Sequence, residues 1–108
     1  MVIKTKRFTP NKFYSANAIK KQWHLVRLLI EQPSKNIRTN KLEAFTDHVE
    51  WIEDNIGSRW WSTVTEVETE ETKSTSYGHY KFQVITFYMD FYFSKEDEGV
   101  MFQFAWQW

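Results

Sequence analysis

Hydrophobic positions along this chain recur at helical spacing in two stretches and alternate in several others. Ile19, Trp23, Val26 and Ile30 follow one another at steps of four, three and four, and Leu25 and Leu29 widen the stripe. With Ser15 as a cap and Pro33 as a stop, this pattern predicts a helix from Ala16 to Gln32. Its other side carries Lys20, His24, Arg27 and Glu31. A second stripe, Leu42, Phe45, Val49, Ile52 and Ile56, predicts a helix beginning at Asn40. Glu43 lies three residues after Asn40, at capping-box spacing, and Gly57 is placed to follow the last turn.

Alternation predicts strands elsewhere. Val2 to Phe8 reads as a short edge strand with lysines guarding it. Arg59 to Thr69 is rich in Trp, Thr and Val and reads as a second strand. Glu70 to Gly78 reads as a polar hairpin loop. His79 to Phe93 changes phase: Tyr80, Phe82 and Val84 are apolar at even positions, and Ile85, Phe87, Met89, Phe91 and Phe93 at odd ones. A bulge or sharp twist near Val84 and Ile85 would reconcile the two halves. Val100 to Trp108 alternates as a last strand, after a charged turn at Ser94 to Gly99.

The predicted order is therefore β-α-α-β-β-β. The fold class is α+β, a two-layer sandwich with two helices on one face of an antiparallel sheet of three to four strands. Residues 1–108 form one domain. The N-terminus shows no apolar signal segment, and no apolar run approaches the roughly 20 residues that span a bilayer. Expected are a cytoplasmic location, no membrane and no bound cofactor.

Charge sharpens this picture. Up to Lys41 there are ten bases and one acid, Glu31; from Leu42 onward there are four bases and thirteen acids. Three readings remain open. The basic and acidic halves can neutralise each other across neighbouring helices. The basic half can bind a phosphate backbone through Lys20, Lys21, Arg27, Lys35, Arg38 and Lys41. The acidic half can dock a basic partner. Glu43, Asp47, Glu50 and Asp54 would form its helical flank, and Glu66, Glu68, Glu70 and Glu71 its hairpin group.

Six Trp, five Tyr and nine Phe are more rings than one small core readily hides. If Phe87, Met89 and Phe91 face the helices, Tyr88, Asp90, Tyr92, Met101, Gln103 and Gln107 face away. Tyr and Met are enriched at protein interfaces. Tyr88, Tyr92, Met101, Gln103 and Trp108 are accordingly the candidate interface residues.

Catalytic signatures are sparse. There is no cysteine, no nucleophile elbow and no glycine-rich phosphate loop. His24, His48 and His79 lie on separate predicted elements, without metal-ligand spacing. A composite site around His79, Tyr80 and nearby acids is the weakest reading. The segment Phe91 to Trp106 resembles the ends of small orphan proteins of tailed bacteriophages. That resemblance implies no site and no activity. The leading expectation is a non-enzymatic binding or regulatory protein acting through a protein partner or a second copy of itself. Nucleic-acid binding is the alternative.

Overall fold

The computed structural model describes residues 7–30 and 45–106. It is an α+β fold with three helices and a three-stranded antiparallel sheet. The elements are α1 (Ala16–Gln22), β1 (His24–Leu29), α2 (Thr46–Asn55), β2 (Trp60–Thr75), β3 (Gly78–Phe93) and α3 (Glu96–Trp106). The order is thus α-β-α-β-β-α, which replaces the expected β-α-α-β-β-β. The sheet order is β1-β3-β2, with β3 in the centre.

Two predicted elements change type. The long first helix ends at Gln22, capped by Ser15, whose hydroxyl accepts from the Ala18 N–H. Trp23 turns extended, at φ −91° and ψ 153°, and the chain becomes β1. Val26 and Ile30 are four apart, which suits a helix, but Val26, Leu28 and Ile30 also alternate. The alternation wins because β3 offers a partner over its whole length, from His24 opposite Phe93 to Leu29 opposite Tyr88. Arg27 and His24 therefore point to opposite faces of a sheet and do not share a helix flank.

The predicted last strand is a helix. Gly99, Phe102, Gln103 and Trp106 pack inward at helical spacing, whereas Phe104 stays 74 % exposed despite its place in the alternation. Glu96, Asp97 and Glu98 occupy the first turn of α3, where acids complement the positive end of the helix dipole. Gly99 is required by proximity: a Cβ there would fall on the His24 ring of β1. This close approach seats α3 on the sheet, and Gln103 bonds His24 Nε2 at 3.3 Å beside it.

The second helix matches its stripe. Phe45, Val49, Ile52 and Ile56 are buried. The proposed cap at Asn40 and Glu43, and Leu42, lie outside the described residues. Gly57 follows the capping residue Ile56 but has no left-handed φ. Its N–H instead donates to Glu98 Oε2 at 2.6 Å, and Ser58 Oγ bonds the other carboxylate oxygen. Glu98 so ties the end of α2 to the start of α3. Of the predicted first strand, Val2 to Lys6 lie outside the described residues. Arg7 makes a parallel bridge to Trp60, and the Phe8 N–H donates to the Trp60 carbonyl at 2.6 Å.

The β2–β3 hairpin is longer than expected. Residues 70–75 belong to β2, and the turn is Ser76-Tyr77. Both turn residues keep negative φ, and Gly78 takes the positive one, φ 130°. That backbone state strains any residue with a Cβ. Register runs unbroken from Trp60 opposite Phe93 to Thr75 opposite Gly78, so no bulge interrupts the phase change. The phase change has another origin. Near its base β3 is buried on both faces from Met89 to Phe93, whereas its first half runs out as part of an arm. Each half keeps its apolar side where its own surroundings place it.

Buried residues divide between the two faces of the sheet. One face carries Val26, Met89, Phe91, Phe93 and Trp60, covered by Phe45, Val49 and Ile52 around α2 and Phe102 of α3. The other carries Trp61 and Tyr92, covered by Ile19 of α1 with Phe8, Tyr14 and Trp23. Rings dominate both: Phe102 lies 5.1 Å from Phe91 and from Phe93, and Trp61 stacks on Tyr92 at 5.5 Å. Each fully buried ring contributes about 1.5–3 kcal/mol relative to exposure.

His48 sits at the edge of the first cluster, stacked on Trp106 at 3.9 Å. Burial pushes its pKa below the ordinary 6.5, partly offset by Asp47. As pH falls, the unfolded chain then takes up this proton before the folded one. Stability from the neutral ring is complete above about pH 6.5 and is lost as pH drops towards the lower folded value. Denaturation midpoints measured between pH 7.5 and pH 5 are expected to fall less in His48→Leu than in the parent protein. Equal slopes would show that His48 carries no such linkage.

Candidate functional site

The sheet face that bears α1 is only partly covered. Tyr92 and Trp61 lie beneath α1, whereas in the next rows Arg27 and Leu29 are exposed, Thr63, Thr65 and Tyr88 are half-buried, and Asp90 alone is buried. Leu25 and Leu29 are 39 % and 52 % exposed on the edge strand.

At the centre of this face is an ion pair whose acid is buried and whose base reaches solvent. Asp90 is fully buried, and Arg27 clamps it with two parallel bonds, Nε to Oδ1 at 2.7 Å and Nη2 to Oδ2 at 2.8 Å. Thr65 Oγ1 donates to Oδ2 at 2.7 Å. The guanidinium also lies over the Tyr88 ring, 5.0 Å from its centroid. The hydrogen bond to Asp90 is the main reason the Arg27 pKa rises above its ordinary value. The Tyr92 phenol is also pushed up, by burial first and by the Asp90 charge second. The arrangement is a charge-assisted, bidentate pair of the strong kind. It fixes β1 against β3.

Beyond this centre the hairpin runs out as an arm. The molecule measures 57 × 31 × 27 Å, with a radius of gyration of 16.9 Å. A compact chain of about 100 residues would have roughly 13 Å. Residues alternate across the arm, so its two faces differ. One continues the open face with Val67, Val84, Phe82 and Tyr80, set beside Thr86, Thr69, Glu71 and Lys73. The rings of Tyr80 and Phe82 lie 6.0 Å apart and are 47 % and 37 % exposed. The opposite face carries Glu66, Glu68 and Glu70, the last paired with Lys81 at 3.4 Å, together with the exposed Ile85.

The residues singled out from the sequence are scattered by this fold. Tyr88 and Tyr92 do share the face opposite Met89 and Phe91. Tyr92, however, is covered by the α1 segment, and Tyr88 is half-buried beneath Arg27. Met101 and Gln103 belong to α3 on the other side of the sheet, and Trp108 lies outside the described residues. Of the basic set, Lys20 and Lys21 are exposed in the last turn of α1. Arg27 is held by Asp90, and Lys35, Arg38 and Lys41 lie outside the described residues. The helix-to-helix neutralisation is overturned, since α1 and α2 lie on opposite faces of the sheet. His79 and Tyr80, as neighbours on a strand, point to opposite faces, and His79 Nδ1 bonds Ser74 Oγ at 2.7 Å.

Sequence reasoning missed the Arg27–Asp90–Thr65 centre because it placed Arg27 on a helix. A signal was present. Asp90 is the single acid inside a long apolar strand, and such a residue requires a cation opposite it. The shallow hollow lined by Tyr14, Trp23, Gly57, Ser58, Arg59 and Ser94 is a second concave feature. Arg59 there lies 5.7 Å over the Phe8 ring. Among the described residues no helix is long and apolar enough to cross a membrane. Comparison with protein families, with curated proteins and with solved structures finds no match for this chain.

Proposed function

We propose that this is a non-enzymatic binding protein whose open sheet face and projecting arm dock another protein chain. The observation that carries this reading is the arm itself. A two-stranded hairpin is marginally stable in water when it stands alone. This one runs well past the end of β1 and exposes Tyr80 and Phe82, which lie beside Lys73 and Glu71 on the same face, with no described element against them. Exposed rings rimmed by polar residues are a mark of interaction sites. The acidic opposite face supplies solubility and orients the contact. Nucleic acid is the less favoured occupant, because the arm is acidic and Arg27 is already paired.

The reading is tested with a photo-cross-linking phenylalanine analogue at position 82, compared with the same analogue at the exposed Lys95 position. Irradiated in cells making the full chain, position 82 is expected to give discrete protein adducts and position 95 none. Absence of adducts at 82, or equal adducts at both, overturns the reading.

A further inference from the structure

We propose that the hollow at the end of the sheet away from the arm binds a small aromatic carboxylate, a flat ring bearing a singly charged acid group. This site is separate from the open face and does not depend on the docking reading. Four segments converge there. Tyr14 precedes α1, Trp23 joins α1 to β1, Gly57, Ser58 and Arg59 lead into β2, and Ser94 follows β3. His24 and Trp60 both lie opposite Phe93, so the three strands end level and their connections meet at this end. The hollow has a volume of about 530 Å³, within the range of roughly 300–1,000 Å³ for small-ligand sites.

One wall is aromatic. Phe8, Tyr14 and Trp23 form a trio with ring centroids 5.6 to 5.9 Å apart. Trp23 Nε1 donates to the Tyr14 hydroxyl at 2.9 Å, and that hydroxyl donates to Gln22 Oε1 at 2.8 Å. The polar tips of Tyr14 and Trp23 are therefore already bonded, and the wall offers a ligand ring surface. Beside it the Arg59 guanidinium lies over Phe8, 5.7 Å from the centroid. Unlike Arg27, which Asp90 holds, Arg59 has no ion pair among the described residues. The ring contact steadies its plane and leaves its N–H edge to take a carboxylate by two parallel bonds. The Ser94 hydroxyl, also without a partner among the described residues, is a second donor in the lining. Glu98 sets the charge that fits. Its carboxylate holds the Gly57 N–H and the Ser58 hydroxyl, so those donors are closed to a ligand. A singly charged head can sit on Arg59 and Ser94, whereas the second charge of a phosphate would meet Glu98. Rings, one unpaired cation and a nearby acid together select an aromatic carboxylate over a nucleotide phosphate.

The test is a titration of the full chain with sodium cinnamate, followed by two-dimensional amide NMR. The Trp23 indole N–H and the Arg59 and Ser94 amides are expected to shift and to saturate with a dissociation constant of about 1 mM or below. Arg59→Gln is expected to weaken binding by about tenfold or more. Arg59 is exposed, so the circular dichroism of this variant should match the parent. Arg59→Lys keeps the charge without the fork and is expected to recover only part of the loss. Cinnamyl alcohol, which has the same ring and no charge, and inorganic phosphate, which has charge and no ring, are each expected to bind about tenfold more weakly than cinnamate or worse. No shift up to about 10 mM cinnamate, or shifts centred on Tyr80 and Phe82 of the arm, overturns the site. So does a cinnamate affinity that Arg59→Gln leaves unchanged. Equal binding of the alcohol, or of phosphate, overturns the aromatic carboxylate as its ligand.

Discussion

Arg27→Ala is expected to cost about 3 kcal/mol of folding stability, read from denaturant unfolding at neutral pH. The loss does not measure the attraction of the pair. It measures what is left behind. Asp90 is fully buried, and without the guanidinium its carboxylate keeps one described side-chain donor, Thr65 Oγ1. An unpaired buried charge is among the most expensive defects a small protein can carry. Arg27 itself is 39 % exposed, so Asp90→Ala is expected to cost less: the orphaned guanidinium can turn to water. The double replacement Arg27→Met with Asp90→Leu is expected to recover most of the loss, because paired buried ions are often replaceable by apolar groups of similar volume. If Arg27→Ala costs less than about 1 kcal/mol, in the range of a surface pair, the carboxylate is reaching solvent and the centre of the open face is not sealed.

The same pair explains why this fold was half legible. The second helix could be read because its stripe has one period, and Phe45, Val49, Ile52 and Ile56 satisfy no other. The β2–β3 hairpin could be read from its Thr, Val and ring content, though not its full length. Residues 70–75 are polar on both faces, as an arm in solvent can be, so their pattern looked like a loop. The first helix failed at a point of real ambiguity. Val26 and Ile30 serve either period, and the choice falls to β3, sixty residues away, which needs a neighbour for Asp90. The same distance hid the candidate site. Arg27, Thr65 and Asp90 come from three strands, and no local pattern links them. The charge polarity was plain in the sequence, but its direction in space was not. The two helices expected to neutralise each other, α1 and α2, lie on opposite faces of the sheet.

The last element gives the sharpest contrast between pattern and packing. Phe102→Ala is expected to destabilise the protein by about 4 kcal/mol, within the range for emptying a buried phenylalanine site. The ring is fully buried, 5.1 Å from Phe91 and from Phe93, 5.8 Å from Trp51 and 6.2 Å from His48. Rings on three sides cannot collapse into the space without leaving their own contacts with Trp60 and Phe45. Phe104→Ala is expected to change stability by no more than about 0.5 kcal/mol, as for an exposed position. In a strand both residues would face inward and both substitutions would be severe. In α3 they are two residues apart, about 200° around the axis, so one is buried among rings and the other stands in solvent. Thermal and denaturant melts of the two variants side by side therefore decide the type of this element. Equal losses would return it to the sheet and remove the cover that α3 gives to Phe91 and Phe93.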